Sequence, residues 1–188
     1  MAEVILTTPR LNLRLWEERD LDNWLTHLNT PEVKAYLGGI ETPDKVAEKF
    51  AKLNRDWHED GYSFLAVEMR EDAMFLGTCG IAAIATECAP DGLKGGIQVG
   101  WQLRADRWGH GYATEAAAAV VAMAFDRFDR PTLYAQTSER NRGSWRVMER
   151  LGMQRRSELD YDDPDYPDED NPTMVWSITR EAWQDAHA

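Results

Sequence analysis

The sequence predicts an α/β domain on one central mixed sheet, and three observations carry that prediction. Apolar residues repeat with a period of two in some stretches and a helical period in others, in the order β-α-α-β-β-β-α-β-α-β-β. A chain of 188 residues is long enough to bury roughly 70% of its extended surface in a core that needs no disulfide. No internal repeat, low-complexity linker or break in composition appears before residue 155, so residues 1–188 read as a single domain.

Residues 11–16 (LNLRLW) alternate as a strand. Residues 20–28 place Leu21, Trp24, Leu25 and Leu28 on one helical face, with Asp20 at the N-cap position. Thr42 and Pro43 open a longer amphipathic helix, a capping hydroxyl followed by proline at the first helical position; its stripe is Val46, Phe50, Leu53 and Trp57, and Gly61 ends it. Strands are expected over residues 63–69, 75–85 and 97–103, with Asp91-Gly92 and Gly95-Gly96 turning the chain before the third. Residues 108–114 (WGHGYAT) are small and glycine-rich. They lead into residues 115–125, a helix with almost no polar face, which needs cover on both sides or a sheet beneath it and a ligand nearby. Residues 132–137 read as a strand. Residues 142–151 form a short helix aligning Trp145, Met148 and Leu151, with Gly152 just past its end, and the last strands are 153–159 and 173–178.

Composition removes several function classes. Lys+Arg is 21 against 33 Asp+Glu, a formal charge of -12, which argues against direct binding to nucleic acid or anionic lipid. It favours a cationic partner or serves solubility. No apolar run reaches the ~18 residues of a membrane span, and the opening MAEVILTTPR lacks the basic and apolar regions of a secretory signal. Cys79 and Cys88 form no CxxC pair and read as reduced thiols of a cytoplasmic protein, with no metal site. Residues 158–170 carry eight acids and no base, which is -8 of the -12.

Two segments carry the chemistry. In the first, Gly109, Gly111 and Ala113 are small where a backbone must approach a ligand, and their N–H groups lie with those of His110, Tyr112 and Thr114 at a helix start whose dipole is positive. Such a terminus binds phosphate without lysine. A Walker A reading fails because no GK[ST] follows, and Thr114 stands where a dinucleotide fingerprint needs its third small residue. The second segment is N141-R-G-S-W-R-V-M-E-R-L-G-M153. There Asn141 and Ser144 have two readings, capping of the helix start or contact with a substrate.

Together WGHGYATEA and, about thirty residues later, NRGSWRVMERLGM resemble the GNAT acyl-CoA N-acyltransferases, and more narrowly their RimJ/RimL-type branch. The opening TPRLNLRLWEERD and the closing MVWSITREAW match that branch's ends, so the resemblance runs from about residue 7 to 183. It implies a GNAT-like α/β fold, a central mixed and mostly antiparallel sheet of about seven strands with about four helices, splayed at the acyl-CoA site. It implies an enzyme that moves acetyl from acetyl-CoA to a primary amine by direct attack in a ternary complex, with no metal. Trp108, Gly109, His110, Gly111, Tyr112, Ala113 and Thr114 would hold the CoA diphosphate. The backbone of Trp101 and Leu103 would pair with the pantetheine arm, the N–H near Leu103 serving as oxyanion donor. Gly100 would supply a bulge that splays the strand. Asn141 would bind the pantetheine or a water, and Ser144 would protonate the leaving thiolate.

Two departures bear on mechanism. The family's tyrosine seven residues after the asparagine is Met148 here, and residues 97–103 hold no carboxylate base, with Gln98 near its expected place. Asp162 and Asp163 are alternative bases. A catalytically silent acyl-CoA-binding or regulatory module on the same fold is the competing expectation. A free α-amine has a pKa of about 7.7–8.0 and a lysine amine about 10.4, so near neutrality the α-amine offers a few hundredfold more nucleophile. A site without an obvious base therefore leans toward an α-amine, such as a protein N-terminus, or a small amine. The acidic segment favours a cationic acceptor. The sequence leaves monomer and homodimer both open.

Overall fold

A computed structural model describes residues 2–187. Its elements are β1 (Val4–Thr7), β2 (Leu11–Arg14), α1 (Asp20–His27), α2 (Pro31–Lys34), α3 (Pro43–Asp60), β3 (Phe64–Met69), β4 (Phe75–Ala83), β5 (Ile97–Leu103), α4 (Tyr112–Arg127), β6 (Thr132–Ser138), α5 (Arg142–Arg150), β7 (Gln154–Arg155), β8 (Thr173–Thr179) and α6 (Arg180–His187). All eight strands join one sheet in the order β1-β2-β3-β4-β5-β6-β8-β7.

Every neighbouring pair is antiparallel except β5 and β6. That parallel pair meets only at Ile97–Leu133 and Gln98–Tyr134, while β4 follows β5 to Leu103 and β8 follows β6 to Ser138. The sheet is therefore two antiparallel halves hinged at the start of β5 and β6, which part toward their carboxyl ends. The splay does not come from a bulge at Gly100, because β4 and β5 keep unbroken register through it. Gly100 is glycine for another reason: a Cβ there would come 2.9 Å from the Phe64 ring.

Helix α4 packs its buried Ala116, Ala117, Val120, Val121 and Ala124 on one face of the sheet against Leu13, Val99 and Leu133. The opposite face is covered by α1 and α3, whose Trp24 and Val46 join Trp16, Leu28 and Phe75. The α3 signals act as read: Thr42 accepts the Lys45 N–H, and Gly61 caps the end at φ 77°.

Three further expectations change. Asp20 does not cap α1; the N-cap is Arg19, which makes no side-chain cap bond. Asp20 is fully buried, taking Arg14 Nη1 at 2.6 Å and the Glu17 N–H at 2.8 Å, while Arg14 Nε donates to Glu68 at 2.6 Å. A buried carboxylate needs these partners more than the helix needs a cap. The strand expected at 153–159 shrinks to β7, since Arg155 turns to the Asp160 carboxylate, which also accepts the Val175 N–H at 3.0 Å, and residues 157–159 wind into a 3-10 turn. Lastly, β1, α2 and α6 were not expected; α2 is a single turn started by Thr30 and Pro31, too short for a periodic signal.

Candidate active site

Parallel strands that part at their carboxyl ends leave a crevice for a ligand there. Both chemistry-bearing segments lie at that end: the glycine loop follows β5, and Asn141 with Ser144 follows β6. Along a strand, successive residues turn their N–H and C=O to opposite edges. The Arg104 N–H bonds Leu76 of β4 at 2.8 Å, so the backbone groups of Leu103 and Trp101 face the other edge, where β6 has departed. The Leu103 carbonyl there accepts the indole N–H of Trp108 at 2.8 Å. That bond fixes Trp108, 51% exposed, over the strand end.

The loop owes its path to two left-handed glycines, Gly109 at φ 82° and Gly111 at φ 80°, conformations that β-carbon-bearing residues avoid. Gly111 is the N-cap of α4, and the first helical bond runs from the Glu115 N–H to the Gly111 carbonyl at 3.0 Å. The N–H groups of Tyr112, Ala113 and Thr114 therefore have no partner within the helix. The Thr114 hydroxyl oxygen is buried in the same turn and has no hydrogen-bond partner among the described residues. A small anion-shaped cradle results.

Across the slot, Asn141 caps α5 by accepting the Ser144 N–H at 3.3 Å, which bears out its capping role, and leaves its amide N–H₂ for other contacts. Ser144 is half-buried in the first turn. Met148 is 1% exposed within the main core, so this position is a packing residue here.

Sequence reasoning missed a chain of neutral groups at the hinge of the splay. Tyr161 donates to Gln136 at 2.5 Å, and Gln136 donates to Gln98 at 2.8 Å, joining β6 to β5 where they separate. Burial pushes the Tyr161 phenol up, with Asp163 adding to it, so the phenol keeps its proton at neutral pH. Only Gln98 carried a signal, as the residue near the expected base; Gln136 and Tyr161 lie 38 and 25 positions from their partners.

The acidic segment is held in place by arginines. Glu158 pairs with Arg156 and Asp160 with Arg155, while Glu169 and Asp170 both meet Arg140. Asp163 is buried and accepts the Asp165 N–H at 3.0 Å, a turn-forming role. Asp162, Asp165 and Asp168 remain exposed. Because Asp170 also accepts from Ser138 at the end of β6, this segment borders the open end of the slot. Between it and α2 lies a groove of about 340 Å³ lined by Lys34, Gly38, Gly39, Ile40, Glu169 and Asp170.

Comparison with known proteins places this geometry. The sequence profile of a family described as the acetyltransferase (GNAT) domain matches residues 10–154. The uncharacterized protein YkkB of Bacillus subtilis (strain 168) is 30% identical over 153 residues, covering 81% of this chain and 86% of that protein. An acetyltransferase from Agrobacterium tumefaciens str. C58 superposes with a TM-score of 0.74 at 28% identity, over 93% of this chain and 94% of the other. RimL, a ribosomal L7/L12 alpha-N-protein acetyltransferase solved in complex with coenzyme A, gives a TM-score of 0.73 at 16% identity, over 96% and 99%; at that identity the likeness speaks for the fold.

Proposed function

The chain belongs to the GNAT acetyltransferase family, whose reaction is acyl-CoA-dependent acetyl transfer, and from that premise we propose that it moves acetyl from acetyl-CoA to a primary amine. The observation that carries the assignment to this chain's own residues is the pairing of a free β5 edge with the cradle at the start of α4, both opening on one slot. The cradle suits a diphosphate: free N–H groups, the positive end of a sixteen-residue helix, and an orphaned Thr114 hydroxyl stand together. Acetyl-CoA supplies the activated thioester; the protein supplies position, charge stabilisation and a proton.

In this reading the backbone of Gly109, His110, Gly111, Tyr112, Ala113 and Thr114, covered by Trp108, holds the diphosphate. Trp101 and Leu103 bond the pantetheine arm as a neighbouring strand would. The Leu103 N–H donates to the thioester carbonyl as negative charge develops on it. Asn141 directs its amide N–H₂ at the arm or at a water. The acceptor nitrogen attacks the carbonyl carbon, the C–N bond forms and the C–S bond breaks; Ser144 gives its proton to the sulfur and regains one, through water, from the nitrogen that has attacked.

The hinge carries Gln98, Gln136 and a protonated Tyr161 rather than a carboxylate, and this supports an acceptor that is already partly neutral near pH 7.5, an α-amine. The RimJ/RimL-type motifs support the same acceptor class, as does the alpha-N-protein acetyltransferase activity of RimL. Residues 1–188 act as one domain, working as monomer or homodimer in the cytoplasm, where free Cys79 and Cys88 stay reduced.

The test is thiol release from acetyl-CoA and from succinyl-CoA over a panel of amines, including peptides that differ in their first residue. The expected result is turnover of α-amines with acetyl-CoA, at a rate that rises with pH as the amine deprotonates. CoA binding without turnover of any amine would replace the enzyme by a silent acyl-CoA-binding module.

A further inference from the structure

The TPRL segment, residues 8–11, links β1 to β2. Its Arg10 lies in the turn between β1 and β2, yet reaches the glycine loop. The Arg10 N–H donates to Glu115 Oε1 at 2.9 Å and Arg10 Nε to Glu115 Oε2 at 2.6 Å. Nη1 donates to the His110 carbonyl at 3.0 Å, and the guanidinium lies 4.6 Å from the centroid of the Tyr112 ring. Thr8 completes the set by donating to Glu115 Oε1 at 2.6 Å. The remaining nitrogen, Nη2, sits 3.5 Å from where a Gly111 Cβ would stand, and it donates no hydrogen bond among the described residues.

Glu115 raises a physical difficulty. It lies in the first turn of α4, with its side chain 16% exposed, and burial favours its neutral form, but the bonds from Thr8 and Arg10 outweigh burial and keep it ionised. A carboxylate at a helix start is attracted by the same dipole that would attract a phosphate, and it repels that phosphate. The Thr114 hydroxyl, buried and without a partner in the same turn, is a second and independent sign that this terminus is built for a ligand.

We propose that Arg10 is a positioning residue for the acyl-CoA diphosphate: it cancels the charge of Glu115 and holds the His110 carbonyl, so that the start of α4 presents net positive charge to the anion. This rests on the reading of residues 109–114 as the diphosphate cradle. It explains why the β1–β2 turn is fastened to a loop a hundred residues away, and why no lysine is needed beside the cradle.

The test is calorimetric titration of the full chain with CoA at low and high salt, with apo thermal unfolding as a check on the fold. Wild type should bind CoA, more weakly as salt rises. Arg10→Ala should weaken binding about tenfold or more and flatten the salt slope, because an uncancelled Glu115 opposes the anion. Glu115→Gln should bind at least as well as wild type. The double variant should return to within about threefold of wild type, the coupling that marks charge cancellation. Arg10→Lys should fall between, keeping the charge and losing the fork. Unchanged affinity in Arg10→Ala would overturn the proposal. So would a loss that Glu115→Gln does not restore at unchanged salt slope, the behaviour of a mere fastening. Should Arg10→Ala fail to fold, a loss of affinity in Glu115→Gln alone would overturn it equally. Failure of wild type to bind CoA would instead remove the cradle reading itself.

Discussion

Gly111 offers the sharpest test of the anion cradle, because its role can be separated from simple crowding. At φ 80° it occupies a conformation that costs other residues about 1–2 kcal/mol. Space is no obstacle to a single Cβ, the whole of an alanine side chain, since it would meet Arg10 Nη2 at 3.5 Å, an ordinary contact. The cost is therefore conformational, and it can be met in two ways. Held in place, the strained backbone lowers the melting temperature by about 2–8 °C for a chain of this size. Relaxed to negative φ, the peptide rotates and its N–H turns out of the cradle, losing a bond to a charged group of about 1.5–3 kcal/mol, or roughly 10- to 150-fold in Kd. A β-branched residue at positive φ is hardest to hold, so Gly111→Val favours the second route. We expect Gly111→Val to weaken CoA binding at least about tenfold by calorimetry and Gly111→Ala to weaken it less. Gly95→Ala is the control: φ is 73° with nothing within 4 Å, in the turn before β5, at the far end of that strand from the loop. It should lose stability and keep its affinity. A folded Gly111→Val protein with wild-type affinity would refute the placement of the diphosphate.

Three further outcomes are expected. Ser144→Ala should lower kcat by roughly 10²-fold at unchanged CoA affinity, as for a lost general acid; an undiminished kcat in steady-state assays would leave Ser144 with only its place in the helix start. Replacing the exposed Asp162, Asp165 and Asp168 with Asn, and sparing the buried Asp163, should lower kcat/KM for a cationic acceptor and flatten its salt dependence with CoA binding intact; identical rates and slopes would make this segment a solvated surface. Glu115, and Glu41 between Lys34 and Lys49, are held below the usual 4.5 despite partial burial, because their bonds to cations and hydroxyls outweigh it. Their contribution to stability is therefore complete above the unfolded value and is lost as pH falls through the folded ones. Urea unfolding from pH 7 to pH 3 should show this decline, shallower in Glu115→Gln, and an equal decline in that variant would deny the carboxylate its stabilising role.

What the sequence determined by itself was local. The Thr42 cap, the Gly61 stop and the start of α4 at a glycine loop depend on groups within about four residues of one another, the reach of a helical turn. The Asn141 cap was legible for the same reason. So was the family, since its two motifs are each contiguous. The tertiary structure decided whatever depends on distant residues meeting. Asp20 has the spacing of a cap, but Arg14 and the needs of a buried carboxylate claim it. The slot exists because β5 and β6 share two pairs and then part, a property of strand geometry that neither strand's pattern contains. The Tyr161–Gln136–Gln98 chain closes only when that hinge forms, and Arg10 meets Glu115 only when the β1–β2 turn folds over the start of α4. The eight acids of residues 158–170 read as mutually repelling charge until folding brings Arg140, Arg155 and Arg156 to half of them. A residue's neighbours along the chain set its backbone, whereas the charge and hydrogen-bond partners of a buried side chain are set by topology.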